Sequence, residues 1–140
     1  MHLISSENGP LILKGNELLG KEPITMGLAA ARILQDMKGI AVKLYRVAEI
    51  APFTDYYVIA TGRSRTHMQA LANEIKDKLS LAGLIPEHCE GMDGDDWYLV
   101  DFSHIIVHIF SRESREFYKL ERLLPEDSNI SLPDIFSDEI

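Results

Sequence analysis

Trp97 is the only tryptophan in the chain, and it stands among carboxylates. From Glu90 to Asp101 there are five acids (Glu90, Asp93, Asp95, Asp96, Asp101) and no base. An aromatic ring supplies contact area, and rim charges supply steering and register, so this pattern fits an anchor for a basic partner. The same tryptophan could equally be a core residue with acids merely flanking it. Four other groupings invite a chemical reading. Gly62-Arg63-Ser64 joins an apolar run to a helical pattern, where backbone N–H groups hold anions. It lacks the G-x-x-x-x-G-K-[ST] form and reads as a turn with a helix cap. His104 and His108 share one face of a strand but lie roughly 13 Å apart at ~3.3 Å per residue. One zinc, with ligands at about 2.0–2.1 Å, cannot take both, and His108 within IIVHIF reads as a hydrogen-bonded sheet residue. Asp93, Asp95 and Asp96 lack the EF-hand spacing and read as an acidic turn. Cys89 has only His88 beside it, pointing to the opposite face of a strand. No metal, cofactor or catalytic residue is expected.

The elements that position these residues follow from periodicity. Met26, Ala30, Ile33 and Met37 predict a helix over 25–38, capped by Thr25 and ended by a left-handed Gly39. Ile40–Val47 alternates, with Ile40, Val42 and Leu44 on one side and Lys43 and Tyr45 on the other. Tyr56–Ala60 is a β-branched and aromatic run, a strand buried on both faces. A second helix follows, capped by Ser64 or by a Thr66–Gln69 capping box, with Met68, Leu71, Ala72, Ile75, Leu79 and Ala82 as its stripe. After Pro86 comes a short strand near 87–90. Strand, helix and strand suggest a right-handed crossover. The turn 91–96 follows, with Gly94 as its expected positive-φ residue. Trp97–Asp101 and Ile105–Phe110 are strands joined by a tight turn, with Trp97, Leu99 and Asp101 on one face of the first and Tyr98 and Val100 on the other. The last helix is expected over 112–124, capped by Ser111 and stopped by Pro125, with Phe117, Leu120, Leu123 and Leu124 inward. This order predicts a single α/β domain with a mixed β-sheet covered by helices. Residues 1–23 read as an N-terminal extension, 24–124 as the domain, and 125–140 as an acidic, solvated tail.

Composition narrows the function further. The chain has 140 residues, 14 basic and 22 acidic, for a net charge of −8. Five of the acids lie in 125–140, so the middle is nearly neutral. Nucleic-acid binders usually show the opposite balance, a basic surface that releases counterions from phosphates, so direct sequence-specific binding to nucleic acid is not expected. One cysteine forbids an internal disulfide. No apolar run approaches the ~20 residues that span a bilayer, and residues 1–15 resemble neither a secretory nor a transit signal; a cytoplasmic protein without membrane contact is expected.

Taken together, several blocks resemble one family. Thr54–Ser64 (TDYYVIATGRS) is similar to the TDYFVIATGNS-type segment of the Iojap family, whose bacterial members are ribosomal silencing factors. Glu90-Gly91, Asp96–Asp101, Val107–Phe110 and Arg115–Glu121 look like its remaining blocks, in order. The resemblance covers about 24–124. At Ser103-His104 the chain departs from the Gly-Asp type turn of many members. The resemblance implies a nucleotidyltransferase-like topology, a homodimer, and a role that is not enzymatic. It also implies binding to ribosomal protein fourteen of the large subunit, which blocks joining of the small subunit and represses translation when nutrients are short. That partner is basic, in keeping with Glu90, Asp96, Trp97 and Asp101 as the partner-binding residues. Nucleotidyltransferases need a metal-binding D-x-D on a strand after the Gly-Ser turn; here Asp93-Gly94-Asp95 lies in a turn. A nucleotidyltransferase-fold enzyme and a generic dimerisation or adaptor module remain the alternatives.

Overall fold

The structure is a computed structural model that describes residue 15 and residues 18–133. The first helix, α1, runs Pro23–Asp36. It starts two residues earlier than expected because Pro23, with its φ preset, occupies the first turn after an extended Glu22. Its end also differs. Lys38, not Gly39, takes the left-handed conformation, at φ 63°. Gly39 is instead a matter of space: a Cβ there would lie 3.0 Å from the Leu34 carbonyl oxygen, which accepts from Gly39 N–H.

Six strands form one mixed sheet: β1 (Ile40–Arg46), β2 (Tyr56–Thr61), β3 (His88–Glu90), β4 (Trp97–Asp101), β5 (Ile105–Phe110) and β6 (Asn129–Ile130). Their spatial order is β3-β4-β5-β2-β1-β6. Only the β2–β5 pair is parallel; the others are antiparallel. The connection from β2 through α2 (Arg65–Leu81) therefore reaches β3 by passing over two strands rather than landing beside β2. Ser64 caps α2, its Oγ accepting from His67 N–H at 3.1 Å, so the Thr66 capping box is not used.

The sheet separates two apolar layers. α1 and α2 cover one face, over Leu44, Val58, Ala60, Tyr98, Val100, Val107 and Ile109. Tyr45, Ile59 and Phe110 face the other way, with Val47 and Leu124. Each such side chain, fully buried, contributes about 1.5–3 kcal/mol of transfer free energy. A bulge in β1 modifies the expected alternation. Ile40 pairs with Thr61 and Lys43 with Ile59, so β1 spends one residue more than β2, and Ala41 sits at φ 49°. Ile40 therefore joins the face of Lys43 and Tyr45, not that of Leu44.

The C-terminal third departs most from expectation. α3 spans only Arg112–Tyr118. Ser111 caps it as expected, but Lys119 is left-handed at φ 49°, and the chain continues as a 3-10 turn over Leu120–Leu123. Phe117 and Leu123 consequently lie outside, 77% and 74% exposed, not in the core. The presumed tail starts inside the fold: β6 adds to the β1 edge, pairing Leu44 with Ile130 and Tyr45 with Asn129. At the other end Leu18 is fully buried, its N–H donating to the Ala82 carbonyl at 3.0 Å. The remaining residues assigned to the extension and tail, 1–14, 16–17 and 134–140, lie outside the described residues. Among the described residues no helix is long and apolar enough to cross a membrane.

Candidate partner-binding surface

The sheet face not covered by α1 and α2 carries Trp97. Strand β4 alternates as expected: Tyr98 and Val100 are fully buried under the helices, whereas Trp97, Leu99 and Asp101 are half-buried on the opposite face. Cross-strand register extends that face. Glu90 pairs with Leu99 and His88 with Asp101 on one side; Leu99 pairs with His108 and Asp101 with Ile106 on the other. Tyr57 lies beside Ile106 on β2. Half-buried Tyr57, Trp97, Leu99 and Ile106 thus form an apolar sheet surface that α3 covers only in part. Glu90, Gly91, Trp97 and Leu99 line a cleft of about 390 Å³ in it.

Trp97 is half-buried and packed against its neighbours. Its ring packs on Phe110 at 4.8 Å and on Tyr118 at 5.0 Å between centroids, so one side is held. Its Nε1–H donates to Nδ1 of His108 at 3.1 Å. His108 is 3% exposed, and burial depresses its pKa to about 3, so the imidazole is neutral near pH 7. Since Nδ1 accepts, Nε2 carries the proton, and that buried group has no hydrogen-bond partner among the described residues. Tyr57 meets the His108 ring edge-on at 4.5 Å, and burial raises the Tyr57 pKa.

The other sequence candidates separate into two kinds. Glu90 is exposed and joins Trp97 in the cleft, paired with His88 at 3.3 Å. Asp96, exposed at the start of β4, accepts from the Tyr118 hydroxyl at 3.2 Å. Its carbonyl accepts from Ser111 N–H and Ser114 Oγ, fastening α3 to the strand. Asp101 has a local duty: its Oδ1 accepts from Ser103 N–H at 2.7 Å and supports the turn residue at φ 76°. The positive φ expected at Gly94 belongs to Gly91, at +80°.

The remaining groupings do not converge on a reactive centre. At Gly62-Arg63-Ser64 two of the three amides are already engaged, Gly62 N–H donating to the Phe110 carbonyl at 2.9 Å. Arg63 N–H donates to His67 Nδ1 at 2.9 Å, and His67 Nε2–H reaches the Met37 carbonyl at 2.9 Å. His104 pairs with Asp55 at 3.0 Å. The Asp93 carbonyl takes a bond from Arg65. Cys89 is exposed on β3 and shares the face of Val100, not that of His88. Among the described residues no three metal-ligating side chains come together.

Sequence reading puts Leu99 on the face of Trp97 but misses Ile106, Tyr57 and Tyr118 as parts of this surface. The first two needed the strand register. Tyr118 needed the early end of α3, which brings its ring to Trp97.

The chain is similar to known proteins in sequence and in fold. The family described as "Ribosomal silencing factor during starvation" matches residues 21–139. The Bacillus subtilis ribosomal silencing factor RsfS is 34% identical over 94 residues, covering 67% of this chain and 80% of that protein. The Zymomonas mobilis RsfS is 36% identical over 90 residues, covering 64% and 68%. The mouse protein named for mitochondrial assembly of the ribosomal large subunit is 36% identical over 74 residues, 51% of this chain and 32% of that one. Among solved structures, a Chromobacterium violaceum protein superposes with a TM-score of 0.71 at 29% identity, covering 74% of this chain and 86% of its own.

Proposed function

Because this chain belongs to the ribosomal silencing factor family, we propose that it binds ribosomal protein fourteen of the large subunit through the Trp97 surface. Docking there sterically blocks the small subunit and represses translation when nutrients are short. The observation that carries this reading is the setting of Trp97. Its ring is held on one side and leaves its other side to an open apolar sheet face; Glu90 shares its cleft, Asp96 precedes it in the chain, and Asp101 lies farther along the same strand face. Buried aromatic anchors dominate interface energetics, and the acidic rim suits a basic protein. The protein acts in the cytoplasm as a homodimer and works by occupation, not catalysis. In support, the Gly62 and Arg63 amides are engaged by the chain's own groups, and the D-x-D spacing at Asp93–Asp95 lies in a turn, not on a strand.

Co-sedimentation with isolated large subunits tests this. The wild-type protein is expected to pellet with large subunits and not with joined ribosomes. Trp97→Ala is expected to weaken binding at least about tenfold, equivalent to ~1.4 kcal/mol. Circular dichroism and thermal melting establish that the variant is folded. A folded Trp97→Ala protein that binds with unchanged affinity would show that the interface lies elsewhere.

A further inference from the structure

The chain is acidic as a whole, yet its fold gathers cations at one place. A cleft of about 410 Å³ beside α3 is lined by Arg112, Arg115, Lys119 and Arg122, with Glu116 and Glu121 as its only acids. Glu121 is already occupied. It takes the Arg115 Nε–H at 2.8 Å and the Tyr45 hydroxyl at 2.5 Å. Burial opposes its ionisation, but those two bonds and the Arg115 charge hold its carboxyl below the usual range. Glu116 is only loosely engaged, 3.8 Å from Lys119. Among the described residues, the exposed guanidinium groups of Arg112 and Arg122 have no charged partner.

Arg115 gives the cleft a rigid floor. Its Nη1 donates to Thr61 Oγ1 at 3.0 Å and to the Ile40 carbonyl at 3.4 Å, while Nε holds Glu121. The reversal at left-handed Lys119 folds Arg122 back toward Arg112 across this floor. A helix continuing through residue 124 would have carried Arg122 away along its axis. Thr61 and Ile40 stand in the same cross-strand row as Trp97, through Phe110. At ~4.8 Å between strands, the cationic cleft begins roughly 10–15 Å from the tryptophan.

We infer that this cleft is a phosphate-binding site that takes the phosphodiester backbone of ribosomal RNA next to the protein docked on Trp97. Unpaired guanidinium groups around a fixed, hydrogen-bonded arginine suit phosphate oxygens, and such contacts position without reading sequence. The inference rests on the docking reading above only for the identity of the RNA; the phosphate chemistry rests on the cleft. With an overall charge of −8, the isolated protein binds RNA weakly, and the cleft acts mainly once the Trp97 surface has docked.

Two measurements test it. The first follows arginine side-chain resonances during titration of the full chain with a short RNA duplex at low salt. Shifts at Arg112 and Arg122 that are insensitive to the duplex sequence are expected. No shift at these residues overturns the inference, whatever becomes of ribosome binding. A nucleoside triphosphate that binds the cleft more tightly than the duplex would reassign it to a free nucleotide and overturn the RNA assignment. The second compares Arg112→Glu/Arg122→Glu with wild type on two ligands: isolated large subunits and isolated ribosomal protein fourteen. The charge-reversed protein is expected to lose about tenfold on subunits and nothing on the isolated protein. The salt dependence of subunit binding should be shallower by ~1.5 in log–log slope, at about 0.7–0.9 per phosphate. Equal affinity for subunits overturns the cleft's role there. Loss on both ligands assigns the arginines to the protein contact and overturns it too. A Trp97→Ala protein that binds both ligands normally refutes the docking surface and leaves the RNA titration standing.

Discussion

Trp97 donates its indole N–H to His108 on the neighbouring strand at 3.1 Å, and the imidazole that accepts it is almost entirely buried. The candidate anchor and the sheet interior are therefore one hydrogen-bonded unit. The bond fixes the histidine tautomer and the tilt of the indole together.

Acid should loosen this unit. His108 has a folded pKa of about 3, pushed down by burial from an ordinary 6.5. The folded state thus binds fewer protons than the unfolded chain between those values. The stabilisation is complete above about pH 6.5 and is lost as pH falls toward 3. At ~1.4 kcal/mol per unit, this group alone costs about 3 kcal/mol at pH 4. Urea unfolding at pH 7 and pH 4.5, followed by the single tryptophan's fluorescence, measures it. His108→Gln is expected to be less stable at pH 7 but to show a flatter pH dependence.

Removing only the donor separates the bond from the ring. Trp97→Phe keeps an aromatic side chain against Phe110 and Tyr118 but leaves His108 Nδ1 without its partner. A buried acceptor left unsatisfied costs about 1–3 kcal/mol. Thermal unfolding should show a loss of that size. Retention of wild-type stability would mean that water or another donor reaches His108.

Much of this surface was legible before the structure. The ends of β4 and β5 and the Tyr98/Val100 alternation follow from β-branched and aromatic runs that encode strands locally. The Trp97–His108 bond was not legible, because it links diagonal positions on two strands whose register is set by the whole sheet. Ile40 was assigned to the wrong face because one bulged residue inverts every side chain beyond it. The cationic cleft was hidden for a related reason. Arg112, Arg115, Lys119 and Arg122 recur at i, i+3, i+7 and i+10, one face of the expected helix, but there they would be strung out over about 15 Å until the chain reverses at Lys119.

Gly91 and Gly94 should respond unequally to alanine. At Gly91, φ is +80° and an added Cβ would lie 2.0 Å from the Trp97 carbonyl oxygen, so the β3–β4 hairpin must deform. At Gly94 the nearest atom is 3.5 Å away and φ is not positive. Gly91→Ala is expected to cost at least ~2 kcal/mol, from the left-handed conformation and the clash together, and Gly94→Ala less than about 1. Chemical denaturation of both variants decides it.

The Arg115–Glu121 pair should be costly to break from one side. Arg115→Met leaves a partly buried carboxylate with only the Tyr45 hydroxyl bond and the charge of Lys43, and frees Thr61 Oγ1. Fully buried pairs lose about 3–5 kcal/mol when one partner is removed; with the pair partly exposed, a loss near 2 kcal/mol is expected. Arg115→Met combined with Glu121→Gln should recover part of it. A double-mutant cycle in urea gives the coupling.

The two margins of the sheet have a bearing on how the protein behaves in a crowded solution. An unpaired strand edge is a template for another chain's strand, and here neither margin presents a long, flat one. On one side β6 occupies Leu44 and Tyr45, and the bulge at Ala41 kinks what lies beyond. On the other, β3 offers only three residues, two of which, His88 and Glu90, are ionisable. End-to-end accretion into fibres is thereby discouraged.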